Sequence, residues 1–350
     1  MKGKKEEVKP VEKENFDICG PHHLTSIDWR LAEHRRSVAA SMVQGVFVLE
    51  RDRQEKRTNH DALAPIWWNF FHFQCSHILV DQLDSSIFGI IFQYKPHTKP
   101  NGTPPMYVIA FRGTIVRPET RKRDLHLDIK LAINRLTRDS RYQAAFQAIE
   151  GIIAQVGPNN VWLTGHSLGA AIALQAGKDL ARMGYCIETY LFNPPYISAP
   201  IEKLNDPALR NGARIARSVL NAGLSLAING TKSNNVREQN DPFTILCSWT
   251  PYLFLNPKDP ICCEYIGYFE HREKMEGWGV GRIERIATKN SIVSLISGAL
   301  GREVEALHLI PSAFVTKNVV VKEQDLMAAH GLLQWWEPHP YWHSKAYQFN

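Results

Sequence analysis

Apolar residues recur along this chain in two spacings, and the switches between them predict most of its elements. Ile27, Leu31, Val38, Met42 and Val46 fall at roughly helical intervals, which predicts a first helix capped by Thr25, with Asp28 three residues on, ending near Arg53. The run Pro65-Ile66-Trp67-Trp68-Asn69-Phe70-Phe71-His72-Phe73 is too aromatic for a solvated helix; it reads as core, with a lipid-facing patch as the alternative. Ser86 to Tyr94 and Met106 to Phe111 are apolar runs separated by a loop rich in proline and glycine, and they predict a hairpin. A helix over about Ser140 to Val156 then leads to a buried strand at Val161-Trp162-Leu163-Thr164. A helix from Ala170 to about Met183 stops at Gly184, and another strand runs from Ile187 to Phe192. This βαβαβ succession requires a mostly parallel sheet with helices on both faces, the α/β class. From Ile201 to Asn240 the pattern loosens. Tyr252-Leu253-Phe254-Leu255 supplies a further strand, and the remainder reads as helical up to the short Val319-Val320-Val321 run.

Composition narrows the function classes. With 350 residues and 44% hydrophobic content, the chain can bury one large core, so residues 15–350 are expected to form a single domain with a helical N-terminal extension. The net charge of +6 is mild and comes partly from a lysine-rich start that alternates with glutamates up to Glu14, so residues 1–14 are expected to be a disordered tail. No basic stripe is joined to a nucleic-acid reading module. No run approaches eighteen apolar residues and the start lacks a signal-peptide core, so a soluble, intracellular, cytoplasmic protein is expected. The six cysteines show no Cys-x-x-Cys spacing and read as free thiols. Asn101-Gly102-Thr103 and Asn229-Gly230-Thr231 read as turns.

The candidate chemistry centres on Gly165-His166-Ser167-Leu168-Gly169, a Gly-x-Ser-x-Gly pentapeptide. Such a motif arises by chance too readily to count alone, but here it sits between a buried strand and a helix. A sharp strand-to-helix turn strains the serine backbone and exposes Oγ as a nucleophile. Leu168 begins the helix, so its N–H is free to face a developing oxyanion.

A triad on this scaffold takes its members in the order Ser, acid, His. Asp259, after the Tyr252–Leu255 strand, is favoured as the acid over Asp241, which has no apolar strand immediately before it. The histidines after it are His271, His308, His330, His339 and His343, of which His330 is best placed, between the last strand-like run and a helical Leu332–Trp336 segment. Thr114, closing Phe111-Arg112-Gly113-Thr114 after an early strand, can offer the oxyanion both its N–H and its hydroxyl. His339 and His343 lack an acidic partner, so no metal site is expected.

Ile109-Ala110-Phe111-Arg112-Gly113-Thr114, Gly165-His166-Ser167-Leu168-Gly169-Ala170 and Asp259-Pro260-Ile261 closely resemble the class 3, or fungal-type triacylglycerol, lipase family. From Phe16-Asp17-Ile18-Cys19-Gly20-Pro21 to Ala329-His330-Gly331-Leu332-Leu333-Gln334-Trp335-Trp336, the chain resembles the plant branch of these lipase-like α/β-hydrolases. That branch often carries the name GDSL esterase/lipase, although this chain has no Gly-Asp-Ser-Leu block near its start. The resemblance implies an α/β-hydrolase fold with Ser167 as nucleophile, Asp259 and His330 as its partners, and Thr114 and Leu168 as the oxyanion hole. It places Asp128 beside the oxyanion loop, where its carboxylate either accepts from the Thr114 hydroxyl or serves as a first-turn acid that favours a helix N-terminus. It also puts a lid at the stretch from Arg117 to Asp128, whose basic residues read as a solvated loop or as a transient contact with a membrane surface. The expected activity is hydrolysis of carboxylic esters of lipids through an acyl-enzyme, with an acyl-ester substrate and no cofactor. A non-catalytic lipid- or partner-binding protein, and a thioesterase or acyltransferase, are the alternatives.

Overall fold

The structure is a computed structural model that describes residues 13–115, 136, 139–196, 245–277, 309–319, 326–336 and 342–348. Among them, β1 (Phe73–Val80), β2 (Ile87–Tyr94), β3 (Tyr107–Phe111), β4 (Val161–His166), β5 (Glu188–Phe192), β6 (Tyr252–Leu255), β7 (Ala313–Asn318) and β8 (Trp342–Tyr347) form one sheet in sequential order. β3 to β7 are parallel; β1, β2 and β8 add antiparallel edges. With the serine at the strand-to-helix turn after β4, this is the α/β-hydrolase fold.

Successive side chains on a strand point to opposite faces, so the buried parallel strands feed two cores. Ile109, Leu163, Leu191, Leu253 and Val315 face one core with the helices Ser140–Val156, Leu168–Arg182 and Glu264–Gly277. Parallel strands added in one direction through right-handed crossovers carry their helices to the same face, and these three helices share that core. The other face, made by Val108, Trp162, Tyr190 and Phe254, must be covered from outside the crossovers. The Ala32–Glu55 helix covers it, together with Trp335 and Trp336 near the end of the chain.

The structure moves several of the predicted boundaries. The helix expected behind Thr25 begins only at Ala32, after a one-turn helix at Phe16–Cys19. Asp28 accepts from the Arg30 N–H and guanidinium, its own N–H donates to His34 Nδ1, and the Trp29 N–H reaches Asn101 O, so this backbone forms a turn and a bridge before the helix can start. Among the described residues the last parallel strand is Ala313–Asn318, in register with Tyr252–Leu255; Val319 follows it, and Val320 and Val321 lie outside the described residues. β1 and β8 are edge strands, mostly exposed, and the sequence reading gave neither of them a strand. The aromatic run from Pro65 is core: Trp67, Phe71 and Phe73 are buried, and Phe16 and Trp336 pack on Trp67.

Of the expected tail, residues 1–12 lie outside the described residues, while Glu14 pairs with Arg57 at 2.7 Å and its carbonyl accepts from Trp67 Nε1. None of the six cysteines is in a disulfide. Gly102 takes the positive φ of a turn, as read, and Asn229 lies outside the described residues. No helix among the described residues is long and apolar enough to cross a membrane.

Candidate active site

β4 is buried along its whole length and delivers the chain to Ser167 at φ 54°, ψ −122°. A side chain at this φ is strained, and the surroundings hold it there. The Ser167 N–H donates to Phe192 O at the end of β5, and its carbonyl accepts from Ala171 N–H as the helix begins. Close packing explains the flanking glycines. A Cβ at Gly165 would lie 2.4 Å from Gly169 O, and one at Gly169 would lie 2.4 Å from Phe111 O. The helix start is thus pressed against the end of β3, which carries the Arg112-Gly113-Thr114 loop to the serine: a Cβ at Gly113 would meet Ser167 Cβ at 2.8 Å. Buried Arg112 fixes that loop by donating from Nε to Ile87 O and from Nη1 to Gly113 O. Leu168, first in its helix, has an N–H with no intrahelical acceptor.

Asp259 follows β6 in a tight turn and is fully buried. Its Oδ2 accepts from His330 Nδ1 at 2.8 Å and Asn193 Nδ2 at 2.7 Å, and its Oδ1 from Ile261 N–H at 3.0 Å. Burial by itself would raise this carboxyl, but the His330 imidazole and these donors outweigh it and hold the group below the usual carboxylate range. With Nδ1–H directed to Asp259, His330 has Nε2 left as its acceptor.

Ser167, Thr114 and His330 line one cavity of about 460 Å³, with Phe47, Val48, Ile115, Met327, Leu332 and Leu333 supplying much of its apolar wall. Among the described contacts no hydrogen bond joins Ser167 Oγ to His330 Nε2, a bond that in hydrolases without substrate is often long and tightens on binding. Among the described residues no group of His, Cys, Asp and Glu is placed to hold a metal ion.

His271 is buried on the Glu264–Gly277 helix and His343 is exposed on β8; neither lines this cavity. Asp128, Asp241, His308, His339 and the Arg117–Asp128 stretch lie outside the described residues.

Three residues that the sequence reading did not single out clamp the histidine loop. His166 Nε2–H donates to His330 O at 2.7 Å, and the two rings lie 4.8 Å apart. Gln334 Nε2 donates to the carbonyls of Ala329 and Gly331, both at 2.8 Å, while its Oε1 accepts from Asn256 on the acid's own turn. Asn193 Nδ2 also donates to Ala329 O. The one sequence signal for Asn193 is its place at the end of a strand before Pro194, which marks a turn and no more.

Residues 108–199 match the family model described as lipase (class 3). A curated relative from Arabidopsis thaliana, named GDSL esterase/lipase, is 45% identical over 350 residues, covering 97% of this chain and 99% of its own length. Among solved structures, the lipase from Rhizopus microsporus var. chinensis aligns at 12% identity and TM-score 0.31, covering 66% of this chain and 69% of its own. The esterase Est22 with p-nitrophenol aligns at 14% identity and TM-score 0.32, covering 85% and 97% respectively.

Proposed function

The chain belongs to the class 3 lipase-like family and so to the ester hydrolases, and from that premise we propose that it cleaves carboxylic esters of lipids through an acyl-enzyme formed on Ser167. The single observation that carries the reading is the convergence on one apolar-walled cavity of a strained serine and a histidine already bonded to a buried aspartate. Ser167 Oγ attacks the ester carbonyl while His330 Nε2 takes its proton. Asp259 keeps His330 in the Nδ1–H tautomer and stabilises the imidazolium that forms. The Leu168 N–H and the Thr114 N–H and hydroxyl stabilise the oxyanion. His330 then returns the proton to the departing alcohol, and water, activated by the same imidazole, releases the acid. No cofactor enters this scheme. The apolar wall suits an acyl chain as the buried part of the substrate.

The deciding experiment pairs fluorophosphonate labelling with turnover of a short-chain p-nitrophenyl ester in wild type and Ser167→Ala. Wild type is expected to label and turn over. The variant is expected to fold, fail to label, and lose about 10⁴-fold or more in kcat. Retained turnover by the variant would remove Ser167 from the chemistry.

A further inference from the structure

We propose that Asn193, the residue after β5, is the positioning residue that sets the Asp259–His330 pair, an inference that rests on the triad reading above. Its side chain is fully buried and its hydrogen-bonding capacity is committed in one direction. Nδ2 donates to Asp259 Oδ2 at 2.7 Å and to Ala329 O at 3.1 Å, with Cys262 Sγ 3.5 Å away, while Oδ1 accepts from Trp335 Nε1 at 2.7 Å. An indole nitrogen can only donate, so Trp335 decides which end of the carboxamide faces the acid. The reversed amide would set its oxygen against a carboxylate and a carbonyl, and its NH₂ against an N–H.

Two consequences follow for the proposed relay. Asp259 Oδ2 serves both Asn193 and His330, so the amide fixes the lone-pair direction left for the imidazole. Ala329 precedes His330, so the same NH₂ group also pins the backbone that carries the base. The backbone of Asn193 is itself anchored, with its N–H donating to Phe254 O at 2.9 Å, and the adjoining Phe192 O accepts the Ser167 N–H at 3.0 Å. One residue thereby references the acid, the base and the nucleophile's turn to the same strand end. Its φ of 47° lies in the left-handed region, which asparagine tolerates better than most side chains. Asn193 does not line the cavity, so its effect should fall on kcat and spare KM.

Asn193→Asp keeps the size and tolerates the φ, but replaces the donor with an acceptor beside Asp259. The titratable groups around Asn193 and the Asp259–His330 pair are Cys262, against Asn193, and His166, against the His330 ring. With p-nitrophenyl butyrate as substrate, we expect kcat to fall about 10²-fold with KM within about threefold. The acid limb of kcat/KM should move to higher pH, because a second carboxylate favours the imidazolium. Trp335→Phe keeps a ring and removes only the N–H aimed at Oδ1; a loss of about three- to tenfold in kcat is expected. A folded Asn193→Asp with wild-type kcat and an unmoved acid limb overturns the inference. If that variant does not fold, wild-type kcat in Trp335→Phe does so instead. Ser167→Ala, run in parallel, separates the premise: activity there defeats the triad reading itself, whereas an inactive Ser167→Ala beside a fully active Asn193→Asp defeats only the role given to Asn193.

Discussion

Thr114 and His166 show how differently two residues beside the same serine can act. Thr114 is exposed to the cavity, and in the proposed mechanism its hydroxyl donates to the oxyanion. Thr114→Ala should then lose about 10- to 10³-fold in kcat and Thr114→Ser little, as read from steady-state ester hydrolysis; an active alanine variant would leave backbone donors alone at the site. His166 instead works from within. Burial first, and the neighbouring His330 second, lower its pKa from the ordinary 6.5 to about 3, so it stays neutral and donates from Nε2 to His330 O. The unfolded chain takes up this proton below about pH 6.5 and the folded chain only near pH 3, so the unfolded state binds more protons across that window. Stability should therefore fall as the pH drops through it, by at most about 1.4 kcal/mol per pH unit from this group. Urea denaturation at pH 7 and pH 4.5 measures the slope, and His166→Gln, which keeps a donor but does not titrate, should flatten it.

At the scale of elements, the turn after β4 depends on how closely a helix can approach a strand. Leu168–Arg182 starts against the end of β3, and a Cβ at Gly169 would lie 2.4 Å from Phe111 O and 2.5 Å from Arg112 O. Backbone atoms cannot rotate away as a flexible side chain would, so Gly169→Ala should destabilise the fold by about 3 kcal/mol, at the upper end of the cost of overpacking. Because the same contact seats the Arg112-Gly113-Thr114 loop, fluorophosphonate labelling of the folded fraction should also slow. Equilibrium urea unfolding beside a labelling time course checks both; an alanine variant of unchanged stability would mean that the two elements are free to part. The helix start and the strand end were each legible as local patterns. Their separation was not, because it depends on atoms from segments distant in sequence.

Across the whole molecule, the Ala32–Glu55 helix ties one face of the sheet to the segment that follows His330. Arg36 Nε donates to Trp335 O at 2.9 Å, its guanidinium lies 3.9 Å over the Trp342 ring, and Ser37 Oγ donates to Trp336 O at 2.6 Å. Burial lowers the Arg36 pKa to about 10, which leaves the group cationic at neutral pH. Arg36→Met would retain most of the apolar stem and remove the charged donor. We expect a loss of about 2 kcal/mol in urea unfolding, the scale of a hydrogen bond from a charged group, and a fall in kcat under about tenfold, since Asn193 and Gln334 still hold the histidine loop. A larger loss in kcat without a loss in stability would show that this helix acts on the site directly.

The sequence by itself determined the βαβαβ succession and the turn that carries Ser167 between glycines, and it offered Asp259 and His330 in the order a triad on this scaffold takes, because each is written in local apolar spacing, turn chemistry or motif. It also marked Asp259 by the strand before it, while leaving Asp241 as a rival. Only the tertiary structure decided that Asp259 meets His330, 71 residues away, and that Asn193 reaches both the acid and, 136 residues on, the backbone before the base. It likewise decided that an N-terminal helix must cover the face that right-handed crossovers leave bare, and that the mostly exposed strands β1 and β8 flank the sheet. Local patterning records which side of an element is buried and where the backbone turns. Which buried donor meets which acceptor is set by how the elements pack, and a buried asparagine carries no mark of its partners until that packing is known.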